Sequence, residues 1–191
     1  MRQNLVLIIG IILAFLIGFS VSSITSQKKV TVGIANPEMM FKSEDACSIV
    51  SSEWQSNGYC FPGEIEGEKG AIIIHPISTD TPRVAFQTFQ VPKSARKLTI
   101  KVADVAGKVP WNLKPCPECD VGFRIKITDL SNWSEHQLDD FVVAAKDGWI
   151  TKTYDISNFS GKTVTLSIYA YAGGTDIWKG EWAAIGSVKL E

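Results

Sequence analysis

From about residue 70 onward, apolar and polar residues alternate with a period of two, and no stretch there carries the 3.6-residue period of an amphipathic helix. Leu98, Ile100 and Val102 alternate with Lys97, Thr99 and Lys101. Val121, Phe123, Ile125 and Ile127 alternate with Gly122, Arg124, Lys126 and Thr128, and Val164, Leu166, Ile168 and Ala170 alternate with Thr165, Ser167, Tyr169 and Tyr171. Each pattern predicts a strand with one buried face, and the outer face of the third is polar and aromatic. Further strands are expected at 71–75, 83–91, 140–145, 149–155 and 182–190. Eight short strands separated by turn residues predict an all-β, antiparallel β-sandwich. Lys146-Asp147-Gly148 reads as a hairpin turn whose glycine takes a positive φ. Residues 28–69 are less regular, with one strand expected at 29–34 and a short irregular or helical piece at 37–51.

The other strong pattern lies at the N-terminus. Residues 5–19 read LVLIIGIILAFLIGF, Arg2 is the only charge before Lys28, and Ser20 to Gln27 form a small polar stretch. Extended through Val21, the run reaches the length of a membrane-spanning helix, about 17–25 residues. Two readings fit: an uncleaved signal anchor, or a signal peptide cut near Ser22. Both place residues 28–191 outside the cytoplasm, tethered through residues 5–21 or secreted. The chain thus divides into a leader with its linker, 1–27, and one domain, 28–191.

Composition narrows the partners. The 191-residue chain has 19 basic and 20 acidic residues, a formal charge of −1, and scattered Lys and Arg. It has no electrostatic footprint for nucleic acid. Two His and three Met offer little for a catalytic zinc or copper site, and no metal site or cofactor is expected. No hydrolase or nucleotide-binding motif is present, and His75 and His136 have no sequence neighbours that make them general bases, so the domain reads as a non-enzyme.

The run GWITKTYDISNFSGKTVTLSIYAYAGGTDIWKGEWAAIGSVKLE, residues 148–191, resembles the closing strands of galactose-binding-like jelly-roll domains, the sandwich of many carbohydrate-binding modules. A Trp-led strand reaches a D-I-S turn, GKTVTL opens the next strand, a Gly-rich loop follows, and WAAIGSVKL closes the sheet. The resemblance implies a jelly-roll sandwich that binds carbohydrate, a lipid surface or protein. Some domains of this kind hold a structural Ca²⁺ near their ends, where Glu44, Asp45 and Glu191 are the candidates by position, but none is expected as a cofactor here. The acid that often stands two residues before the final Val is replaced here by Gly186, so its role does not carry over.

Four cysteines, Cys47, Cys60, Cys116 and Cys119, fit an exported domain. They read as disulfides Cys47–Cys60 and Cys116–Cys119, with a four-cysteine metal site or a Cys116-Pro117-Glu118-Cys119 redox pair as alternatives. Asn132-Trp133-Ser134 and Asn158-Phe159-Ser160 are N-glycosylation sequons. If consecutive strands run antiparallel, the loops at 105–120, 146–148 and 173–181 share one end of the sandwich, and those at 130–139 and 157–162 share the other. The first end collects Trp111, Asn112, Asp147, Asp176 and Trp178, flat aromatic faces beside polar groups, the combination that recognises a sugar. The expected function is a membrane-anchored, extracytoplasmic module for carbohydrate or another surface polymer. The alternative is an accessory subunit of a membrane or cell-surface protein complex.

Overall fold

The computed structural model describes residues 30–41, 54–75, 81–114, 116–173 and 181–191. The leader, Cys47, Glu44, Asp45, Asp176, Trp178 and most of the piece at 37–51 lie outside these residues. Among the described residues, no helix is long and apolar enough to cross a membrane.

Among the described residues, eleven strands form two sheets: β1 (Thr31–Val32), β2 (Gln55–Ser56), β3 (Tyr59–Ile65), β4 (Glu68–Ile74), β5 (Arg83–Gln90), β6 (Lys97–Asp104), β7 (Asp120–Asp129), β8 (Ser134–Ala144), β9 (Ile150–Asp155), β10 (Thr163–Ala172) and β11 (Ala183–Leu190). The first sheet runs β1-β5-β10-β7-β8, with β2 also on β5, and the second runs β3-β4-β11-β6-β9. All pairings are antiparallel except the short β1–β5 contact. The sandwich predicted from alternation is therefore present, with a longer β8 and an additional β3–β4 hairpin.

The inward residues build one core: Leu98, Ile100 and Val102 from β6, Val121, Phe123, Ile125 and Ile127 from β7, and Val164, Leu166, Ile168 and Ala170 from β10, closed by the fully buried Trp54. The second sheet also buries its outer face. Phe61, Ile65, Ala71, Ile73, Ala103 and Ala184 join Val105 and Val109 from the β6–β7 loop in a separate cluster, with Trp149 and Trp182 against it. This explains the unbroken apolar run Ala71 to Ile74, since both faces of β4 are covered.

One turn expectation needs correcting. Gly148 does have a positive φ, 64°, but Lys146-Asp147-Gly148 is not a hairpin. β8 belongs to the first sheet and β9 to the second, so a 3₁₀ turn (Ala145–Asp147) carries the chain across the sandwich. Turn chemistry reports a reversal of direction and leaves open which sheet the next strand joins.

Candidate functional site

β3 turns alternate side chains in and out at its start: Cys60 enters the core, whereas Tyr59 and Phe61 stand on the outer side of the second sheet. The β6–β7 loop lies down over that side. Val109, fully buried, anchors it, and a tight turn follows in which the Asn112 N–H donates to the Val109 carbonyl at 2.9 Å. Pro110 pre-sets the backbone of this turn, and Trp111 projects from it. Lys108 fastens the loop, donating to the Ala145 carbonyl at 2.8 Å and pairing with Glu66 at 3.0 Å. The far end of the loop is closed by the Cys116–Cys119 disulfide.

The Trp111 ring sits 5.9 Å from Tyr59, 5.6 Å from Phe61 and 5.8 Å from Trp182, each tilted or edge-on. Edge-on packing fixes the indole while leaving ring face uncovered. Trp111 is 43% exposed and Tyr59 48%. Together with Cys60, Phe61 and Trp182 they line an open cleft of about 380 Å³. The His75 ring lies tilted against Trp182, centroids 4.3 Å apart, and burial, with the Arg83 charge, holds its ring below the ordinary 6.5. Among the described residues, the lining is four aromatics and the disulfide-bonded Cys60, with no carboxylate, amine or guanidinium. The described lining presents aromatic faces to whatever occupies the cleft.

Behind Trp182 lies a buried carboxyl. Asp104 ends β6 fully buried, and its Oδ1 accepts the Ala106 N–H at 2.8 Å. Burial raises this carboxyl to about 6, and the Glu181 carboxylate adds to the rise against the opposing pull of the Ala106 N–H and Lys108.

Of the sequence-predicted site residues, the structure brings Trp111 into the cleft. Asn112 holds the turn behind it, and Asp147 accepts the Ala144 N–H at 3.1 Å, so neither lines the cleft. Asp176 and Trp178 fall outside the described residues. Tyr59 and Phe61, on a strand that alternation does not mark, are the main additions, and Trp182 forms a further wall. The disulfide Cys116–Cys119 is present, which takes two thiolates from any four-cysteine metal site. Cys60 is also bridged, its partner lying outside the described residues. Among the described residues, no group of three or more His, Cys, Asp or Glu converges to hold a metal ion. Glu191 is exposed, and its backbone pairs with Arg96 and Lys97. Asn132 and Asn158 are both exposed, the first capping its own turn through the Ser134 N–H at 2.9 Å.

No protein-family model matches the chain, and no curated protein matches it. Solved structures do. The TmCBM61 module, solved with β-1,4-galactotriose, superposes with a TM-score of 0.52 at 13% identity, over 83% of this chain and 97% of that one. A family 29 carbohydrate-binding module superposes with a TM-score of 0.44 at 11% identity, over 78% of this chain and 83% of that one. The chain is an all-β sandwich similar in fold to the TmCBM61 module.

Proposed function

We propose that the protein is a non-enzymatic carbohydrate-binding module that takes a neutral sugar against the exposed face of Trp111. The observation that carries this reading is the uncharged aromatic cleft itself. A pyranose presents an apolar face to a ring and hydroxyls to the rim, and Trp111 with Tyr59 offers the matching surface. The fold neighbour with β-1,4-galactotriose supports the same class of ligand. In this reading the domain works outside the cytoplasm, tethered by residues 5–21, with glycans on Asn132 and Asn158.

The test is affinity electrophoresis of the full chain through gels containing galactan, xylan, β-glucan or hydroxyethylcellulose. Retardation by at least one of them, lost or strongly reduced in Trp111→Ala, is expected. Migration unaffected by every polymer, or retardation indifferent to Trp111→Ala, overturns the cleft. The subunit alternative finds its support in Leu113, 68% exposed beside the same loop turn, and predicts a stoichiometric protein partner on native purification.

A further inference from the structure

The outer face of the first sheet points away from the cleft, because the inner faces of the two sheets meet in the core. Unlike the outer face of the second sheet, it carries no covering loop cluster among the described residues. On it, Tyr169 and Tyr171 stand two residues apart on β10, about 7 Å along the strand, both half-buried. Tyr171 is opposite Gly122 of β7, and a β-carbon at Gly122 would come within 2.1 Å of the ring's Cε2. The glycine lets the ring lie flat against the sheet.

The neighbouring charges hold both rings. The Tyr171 hydroxyl donates to Asp140 Oδ1, and Asp140 Oδ2 accepts Arg124 Nε at 2.7 Å. The Arg124 guanidinium lies 5.5 Å from the Tyr171 ring centre. Two residues along β7, Lys126 stands 5.6 Å from the Tyr169 ring centre and bonds Glu135 at 2.6 Å. Burial and the Asp140 carboxylate push the Tyr171 hydroxyl up to about 12, so it remains a donor.

Ion pairing adds little to the stability of this arrangement. Exposed ion pairs of this kind contribute about 0–1 kcal/mol each, and a glycine inside a strand costs about 0.5–1 kcal/mol. The result is a flat aromatic strip oriented in advance and bordered by donors and acceptors. Each cation on it is matched by an anion, so the strip has no net charge with which to attract a polyanion. An uncharged polymer with apolar and hydroxylated faces is its complement.

We propose that this face is a second carbohydrate-binding surface, a platform on which an extended chain of neutral sugars lies along β10 and β7 over Tyr169 and Tyr171. The protein then holds two polysaccharide chains on opposite sides of one domain, a consequence that rests on the cleft reading while the platform itself does not.

The same gels separate the two surfaces. Four forms of the full chain are compared: wild type, Trp111→Ala, the double variant Tyr169→Ala/Tyr171→Ala, and the combination of all three. Each single-surface variant is expected to retain retardation about tenfold weaker, and the combination to retain none. Gly122→Ala keeps both tyrosines but lifts one ring, and is expected to weaken the platform without removing an aromatic. With the soluble form of a retarding polymer, wild type is expected to raise turbidity by cross-linking chains, and neither single-surface variant to do so. If the tyrosine double variant binds like its parent in both the wild-type and Trp111→Ala backgrounds, or if Trp111→Ala alone abolishes all binding, the platform is overturned and the cleft stands. If only the tyrosine variants lose binding, the cleft reading fails and the platform stands.

Discussion

The indole of Trp149 lies over Gly186, where a β-carbon would stand 2.8 Å from the ring's Cζ3. Its Nε1 donates to the Ile65 carbonyl at 2.9 Å, so one side chain ties the β3–β4 hairpin to the middle of β11. Gly186 also sits at the register shift of β11, between Ile185 and Ser187. A flat indole takes the space that a side chain at this position would need. Gly186→Ala is expected to displace Trp149 and cost about 1–3 kcal/mol, as overpacking does. Urea unfolding measures it, and an unchanged midpoint would mean that the indole yields freely.

Asp104 sets a pH dependence near neutrality. Its folded carboxyl, at about 6, lies above the ordinary 3.8. Between those values the native state binds more protons than the unfolded one, so this group's contribution to stability falls as pH rises from about 4 to 6. Above that window the ionised form carries a penalty of about 3 kcal/mol. His75, lowered from 6.5, acts in the opposite sense as pH falls through its unfolded value, so the informative quantity is the difference between proteins. Wild type minus Asp104→Asn is expected to gain stability from pH 7.5 to 5. Parallel melting curves across that range would refute the assignment.

Asp129 behaves in the reverse way. Its carboxylate receives Lys162 Nζ at 2.8 Å and both the N–H and hydroxyl of Ser131, at 2.9 and 2.7 Å, and these bonds lower it to about 2. Its contribution is complete above the ordinary carboxylate range and disappears as pH falls from about 4 toward 2. Asp129→Asn is expected to flatten the acid limb of the stability profile, read by circular dichroism, and to leave the slope between pH 5 and 7.5 untouched.

The Cys116–Cys119 bridge closes a four-residue turn. So short a loop restricts the unfolded chain little, by about 2 kcal/mol. The double variant Cys116→Ser/Cys119→Ser is therefore expected to melt a few degrees lower with its sheet spectrum intact. Loss of the fold would show that the loop organises the sandwich rather than resting on it.

The strands that alternation reveals are those with one wet face, such as β6, β7 and β10. β3 is illegible because Cys60 and Phe61 are both buried, one in each cluster, and Pro62-Gly63 falls where the register shifts, so the period of two is lost. The first half of β8 reads as a loop because it is an edge strand, polar from Ser134 to Gln137. Strand alternation alone places the Trp111 loop at one end of the sandwich, but the nearness of Trp182 to it emerges only from the structure. The remaining walls of the cleft could not follow, since Tyr59 and Phe61 belong to the strand that was hidden. The outward row of Tyr169 and Tyr171 is visible in the sequence, but its union with Arg124 and Asp140 depends on β7–β8 and β7–β10 register, which no local pattern encodes.

The strand order also bears on how the domain is born. β10 lies between β5 and β7, and β11 between β4 and β6. Both sheets thus receive a central strand from residues 163–190, after every flanking strand has been synthesised. Until that segment emerges, each sheet exists as two halves with their hydrogen-bonding edges bare, the state in which β-proteins are most prone to mispair. Closure is a long-range event, completed only once residues 163–190 are available, and slow by the standard of proteins that fold through neighbouring contacts. A chain halted before residue 163 would expose two ladders at once, which makes this segment a natural point for quality control.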